Sequence, residues 1–359
     1  MNVKSYLKEY IVRADAFMAS YIARKILEVQ DVGKNSKGGL VAVDMLERYK
    51  NFCLGGKKLR GGIIQLGYEL SGGKKEDVLG ASSSIEFIHS FLLMHDDIQD
   101  MDFLRRGQPT IHKQYESKHE EMKFKKDFKL YGTSMGINMG DLGAYMGMEV
   151  ILSSSLDESR KLEASIYFSR LLQRVAFGQG LDVTYEQLPK VTEADVMELH
   201  LQKTSVYTVG GPLKIGAILG GLPKKNINAI EKYGEPIGIA FQLRDDELGL
   251  FSSEQELGKP IGSDIREGKN TILKIKAIEK TKGKDREFLM KAYGDRNISK
   301  KAVDKVRDLT VKTGAYDYSK KLAKKLVADG KKFIPQITKD LYFQDALSSF
   351  ADFMIERGS

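Results

Sequence analysis

Leu93-Met94-His95-Asp96-Asp97-Ile98-Gln99-Asp100 is the stretch on which the reading of this chain turns. It closes the apolar segment Phe87 to Met94, and the basic pair Arg105-Arg106 follows shortly after. On one helix, Asp96 and Asp100 stand at i and i+4 and project from the same face. Like charges so placed repel by roughly a few tenths of a kcal/mol unless something neutralises them. A divalent cation that prefers oxygen ligands is the natural partner, and magnesium favours one or two carboxylates together with phosphate oxygens and water. The two arginines add forked donors that suit phosphate. The bland alternative is a solvated charged face. Against it stand the apolar segment that the carboxylates terminate and a second acidic pair, Asp245-Asp246, in a similarly apolar setting.

Composition frames that reading. The chain has 359 residues, 42% hydrophobic and 30% charged, enough for a sizeable core in one large domain or two. A formal net charge of +8 points to anionic partners, but lysine is spread along the whole chain, so a phosphorylated small molecule fits as well as nucleic acid. Cys53 is the single cysteine, flanked by Phe52 and Leu54; it excludes an internal disulfide and reads as packing. No apolar run approaches membrane-spanning length and the first residues lack a signal-peptide core, so the expected compartment is the cytoplasm, with no integral membrane contact.

Apolar residues recur at three- and four-residue spacing, which predicts a nearly all-helical protein. Helices are expected over 3–29, near 43–49, over the central 80–102, 158–187 and 227–250, with a small-residue helix at 133–153. Between the second helix and the next lies Gly55-Gly56-Lys57-Lys58-Leu59-Arg60-Gly61-Gly62. Its glycines would let an anion approach the backbone, and Lys57 and Arg60 would converge at a helix start; alternatively it is a lysine-rich turn. His89 lies two helical turns before Asp96, as a core residue or as a diphosphate donor. Residues 115–129 read as a charged, solvated loop or mobile helix. Gly258-Lys259-Pro260 and the run Ser263 to Thr271 supply further lysines on glycine-bearing loops.

In this order the motifs resemble those of the trans-isoprenyl diphosphate synthases, the polyprenyl synthetase family, over a motif-bearing core of about 55–271 within a single domain of 1–359. The resemblance rests on Gly55 to Arg60, on Asp96-Asp97-Ile98-Gln99-Asp100 with Arg105-Arg106-Gly107, on Lys203-Thr204, and on Phe241-Gln242-Leu243-Arg244-Asp245-Asp246. It implies an all-α helical bundle around a central active-site cavity, with the two acidic helices facing each other at its mouth. It further implies magnesium held by Asp96, Asp97, Asp100 and Asp245. Arg105, Lys203, Thr204, Gln242, Lys259 and Lys269 would grip an allylic diphosphate; Lys57, Arg60, His89 and Arg106 would bind isopentenyl diphosphate. Asp96, Asp100, Arg105, Lys203 and Asp245 would carry the chemistry. Homodimers are common in the family. Gly249 stands where many members have a third aspartate.

Product length follows from helix geometry. At about 1.5 Å per residue, Phe91 lies roughly 7 Å and Leu92 roughly 6 Å along the helix from Asp96, where their bulk would floor the cavity. An aromatic at Phe91 with Leu92 beside it resembles archaeal-type geranylgeranyl diphosphate synthases, so a twenty-carbon product is expected. The alternatives are a farnesyl or longer-chain synthase, a non-catalytic partner subunit, a terpene cyclase, and an anion- or nucleic-acid-binding helical protein. The cyclase would not need Lys57 and Arg60. No alternation of aromatic and basic residues favours nucleic acid.

Overall fold

The computed structural model describes residues 1–33, 36–252 and 262–356. Lys259 lies outside them. The described chain is almost entirely helical, as the periodicity predicts; its extended structure is a two-residue hairpin, Leu104–Arg105 against Gln108–Pro109. Contacts divide it into two compact units.

The first unit holds residues 4–165 and 216–221. It contains α1 (Val3–Val32), α2 (Lys37–Cys53), α3 (Leu59–Glu69), α4 (Leu79–Gln99), α5 (Ile111–Glu121) and α6 (Phe128–Leu152). Its core joins Met18 and Ile22 of α1, Tyr49 of α2, Phe87 of α4, Tyr115 of α5 and Met139 of α6. Small residues on α6 bring α4 close: a Cβ at Gly140 would come within 2.3 Å of the His95 ring. Helix α4 ends sooner than the pattern suggests, with Asp100 as its C-cap, although the Asp100 amide still bonds the Asp96 carbonyl at 2.8 Å. The charged stretch expected at 115–129 is only partly solvated. Residues up to Glu121 continue α5, and Tyr115 and His119 are buried, because the Tyr115 hydroxyl donates to Asp44 and His119 packs against Phe124 and Tyr131.

The second unit holds residues 1–3, 166–215 and 222–359. α7 (Glu158–Gln187) enters it at residue 166. α8 (Glu193–His200), started by a Thr192/Asp195 capping box, runs without a break into a π-helical segment, Leu201–Gly210. α9 (Gly211–Gly220), which leaves the unit after residue 215, and α10 (Lys224–Phe251) follow, and then α11 (Ser263–Glu267), α12 (Ile272–Lys280) and the amphipathic helices to Glu356. Leu250, Ile265, Leu273 and Val303 centre one of its apolar clusters. The π segment packs on α10, with the Ser205 hydroxyl donating to the Glu235 carbonyl at 2.6 Å. π-helical turns inside α-helices gather at functional sites.

Candidate active site

In the first unit the basic cluster is a tight turn between α2 and α3. Gly55 and Gly56 take positive φ (75° and 79°), and Gly61 donates its amide to the buried Glu86 of α4 at 2.8 Å. Arg60 reaches α4, its Nη1 lying 3.3 Å from His89 Nε2. Since guanidinium only donates, Nε2 is the acceptor and the imidazole carries its proton on Nδ1. Burial first, and then the charge of Arg60, hold His89 well below its ordinary pKa, so it stays neutral. Arg106 comes to the same turn from the hairpin; its guanidinium donates to the carbonyls of Phe52 and Leu54 at 3.4 Å. Lys57, Arg60, His89 and Arg106 thus belong to one turn and the neighbouring face of α4.

The aspartate motif splits by face. Asp97 is turned inward, 1% exposed, and its Oδ1 accepts from Arg105 Nε and Nη2 at 2.6 and 2.5 Å. Arg105 Nη2 also stands 4.0 Å from Asp96 and 3.8 Å from Asp102. Burial alone would lower the Arg105 pKa, but the charge of Asp97 outweighs it and the guanidinium is held charged. Asp96 keeps a quarter-exposed side chain, and carboxylate oxygens of Asp100 and Asp102 lie within 4.8 Å of each other. Such oxygens suit a divalent cation. Phe91 sits one turn earlier on α4, edge-on to His95 at 4.8 Å between ring centroids; Leu92 beside it is half-buried.

In the second unit two predicted cations meet on a residue that the motifs did not single out. Lys203 Nζ lies 2.6 Å and Lys269 Nζ 3.1 Å from Asp182 Oδ2, and Lys269 also reaches Glu186 at 2.8 Å. Burial pushes the Asp182 carboxyl up, but the two ammonium groups outweigh it and keep it below the usual range. Lys269 is set by its loop: Lys274 donates to the Gly268 carbonyl at 2.8 Å and to Asn270 Oδ1 at 2.9 Å, and burial lowers the Lys274 pKa to about 8. Thr204 and Gln242 begin a polar chain. The Thr204 hydroxyl donates to Gln242 Oε1 at 2.8 Å, Gln242 Nε2 donates to Asp246 Oδ1 at 2.8 Å, and Asp246 Oδ2 stands 3.4 Å from His200 Nε2. Asp245 is half-buried on the same helix. A Cβ at Gly249 would meet Asp264 Oδ2 at 2.4 Å, so a third aspartate there requires the Asp264 side chain to swing aside.

Asp182, Glu86 and Lys274 are therefore the additions to the predicted set. Only Asp182 left a trace in the sequence, as the polar residue closing Gly178-Gln179-Gly180-Leu181-Asp182 inside a long helix. Glu86 and Lys274 look like ordinary charged residues of an amphipathic helix.

The chain belongs to the polyprenyl synthetase family, whose profile matches residues 44–310 and so runs through both units. It is 35% identical over 303 residues to a short chain isoprenyl diphosphate synthase of Methanothermobacter thermautotrophicus, covering 84% of this chain and 87% of that one. With the geranylgeranyl diphosphate synthase of Sulfolobus acidocaldarius it shares 31% identity, covering 95% and 99% of the two chains. Among solved structures, a geranylgeranyl pyrophosphate synthase from Corynebacterium glutamicum, complexed with isoprenyl diphosphate and magnesium, superposes with a TM-score of 0.90. That pair is 28% identical, with 99% and 100% coverage. Chain-elongating prenyl transfer is the activity of this family, and the all-α fold agrees with it.

Proposed function

We propose that this chain condenses isopentenyl diphosphate with dimethylallyl, geranyl and farnesyl diphosphates, stopping at geranylgeranyl diphosphate. The observation that carries the twenty-carbon stop is Phe91, which is braced edge-on by His95 one turn before Asp96. An aromatic ring held in that position ends the growing tail instead of swinging aside.

In this reading Asp96, Asp100 and Asp245 would hold magnesium, with Asp97 serving through its hold on Arg105. Bound magnesium neutralises negative charge as it builds on the leaving diphosphate. Arg105, kept cationic beside Asp96, adds to that neutralisation. Lys203 and Lys269, gathered on Asp182, present two ammonium groups to an allylic diphosphate, and Lys259 belongs with them by its place in the sequence. Thr204 and Gln242 orient dipoles along the π segment toward the developing cation. Lys57, Arg60, Arg106 and the neutral His89, which donates from Nδ1, hold the second diphosphate. No side chain is assigned as the base; released diphosphate suffices. The reading also takes the chain as one catalytic domain, working as a cytoplasmic homodimer without nucleic acid; among the described residues no helix is long and apolar enough to cross a membrane.

Product analysis tests it. Purified protein with magnesium, isopentenyl diphosphate and each allylic starter is expected to give a linear twenty-carbon diphosphate. Asp96→Ala should lower turnover roughly a hundredfold or more. Phe91→Ala should release longer chains. A Phe91→Ala enzyme with an unchanged product would remove Phe91 as the floor, and a mainly fifteen-carbon product from the native enzyme would end the geranylgeranyl assignment.

A further inference from the structure

The sequence offers Lys57, Lys58 and Arg60 as three similar cations on one turn, and the structure separates them. The Lys58 side chain is only 3% exposed and points inward: its Nζ donates to the Cys53 carbonyl and lies 3.5 Å from Asp15 Oδ1. Asp15, in the middle of α1, accepts at the same time from the Gly55 amide at 3.2 and 3.3 Å. Lys58 is also the N-cap residue of α3, with φ 41° and ψ 36°. A residue with a side chain spends roughly 1–2 kcal/mol to enter that left-handed region, so it does so where its surroundings hold it there. The inward tether is such a hold. It sends the Lys58 side chain into the protein.

We propose that Asp15 and Lys58 form a buried brace that positions the basic turn, making them positioning residues for isopentenyl diphosphate and not ligands of it. The proposal rests on the reading of Lys57, Arg60, His89 and Arg106 as that diphosphate's site. Its logic is electrostatic as well as geometric. The Lys58 ammonium faces a carboxylate and a carbonyl inside the protein, and its field reaches His89 only after those of Arg60, Arg105 and Arg106. A buried ammonium that loses its carboxylate is left uncompensated, so the two residues act as a unit. The far side of the turn is closed by other groups. Glu86 takes the Gly61 amide, and Arg106 packs so near Gly56 that a Cβ there would come within 2.7 Å of Nη2. Movement of the turn would therefore shift Lys57 and Arg60 together.

The test compares Lys58→Met, Lys58→Arg, Asp15→Asn and the double variant Asp15→Asn/Lys58→Met in the full chain. Steady-state kinetics are run with each substrate varied, alongside thermal melts and amide hydrogen exchange of residues 53–61. The Michaelis constant for isopentenyl diphosphate is expected to rise about tenfold in Lys58→Met and in Asp15→Asn, the loss of one charged hydrogen bond. kcat and the allylic KM should stay within about twofold, the double variant should be no worse than the worse single one, and Lys58→Arg should recover most of the loss. Exchange at Gly55 should quicken in Asp15→Asn. A rise in Lys58→Met with Asp15→Asn unchanged would make Lys58 a direct ligand and overturn the brace. So would a uniform fall of every parameter together with the melting temperature. If Lys58→Met does not fold, Asp15→Asn decides alone. A native enzyme without condensation activity would defeat the reading of the site, and the exchange of Gly55 would still judge the brace.

Discussion

His200 and Asp246 show how burial sets chemistry residue by residue. Both are at most 6% exposed, their facing atoms are 3.4 Å apart, and burial drives each toward its neutral form: His200 down to about 4 and Asp246 well up. The two have opposite consequences for stability. Between pH 6.5 and 4 the unfolded chain protonates His200 and the folded one does not, so stability falls as the pH drops through that window. Asp246 binds its proton more readily in the folded state, so its contribution moves the other way. His200→Gln leaves Asp246 in place, and the difference between native and variant profiles isolates the histidine. Urea unfolding at pH 4.5 to 7 is expected to show the native protein losing roughly 2–3 kcal/mol more than the variant toward acid. Parallel profiles would mean that His200 is protonated in the fold. The sequence alone could not raise this pairing. His200 and Asp246 lie far apart along the chain, and a lone histidine near an apolar helix reads as packing.

At the scale of elements, legibility followed periodicity. The helices and the face shared by Asp96 and Asp100 came from local spacing, and so did the placement of Lys57 and Arg60 at a helix start. What spacing could not give was a partner on another element. Asp97 sits between two aspartates of the motif, yet its bond to Arg105 turns it inward; Asp182 gathers Lys203 and Lys269, which the resemblance assigned to one diphosphate without a carboxylate beside them. The π-helical geometry of Leu201–Gly210 was also hidden, since it depends on how the segment seats on α10 and not on residue type. Gly249 illustrates the same limit. As sequence it is a missing aspartate; in the fold it is the space into which the Asp264 carboxylate comes from α11. Restoring the motif by Gly249→Asp should therefore destabilise the protein, because a side chain there meets that carboxylate in both volume and charge. A loss of roughly 1–3 kcal/mol is expected, with much of it recovered in Gly249→Asp/Asp264→Ala. Thermal melts of the native protein and the two variants decide the matter; a Gly249→Asp variant as stable as the native protein would show that α11 yields freely.

At the scale of the whole molecule, the family profile and the structural core do not begin at the same residue. The profile starts at residue 44, leaving all of α1 outside it, yet Tyr10, Met18 and Ile22 are completely buried and Leu7 nearly so. The Tyr10 hydroxyl bonds Ser82 of α4 at 3.1 Å, and Asp15 reaches the basic turn. Burying four such side chains is worth roughly 6–12 kcal/mol, as much as the entire net stability of an ordinary domain. A chain beginning at residue 33 retains every motif that carries the resemblance and loses that contribution. It is therefore expected to fail as a folded protein, with a circular dichroism melt that is broad or absent and an increase in dye binding to exposed apolar surface. If the shortened chain instead melts cooperatively near the native temperature, α1 is an appendage, and the buried status of Tyr10, Met18 and Ile22 has been overvalued. A folded but shortened chain with a weakened Michaelis constant for isopentenyl diphosphate alone would be the outcome in which α1 matters only through Asp15.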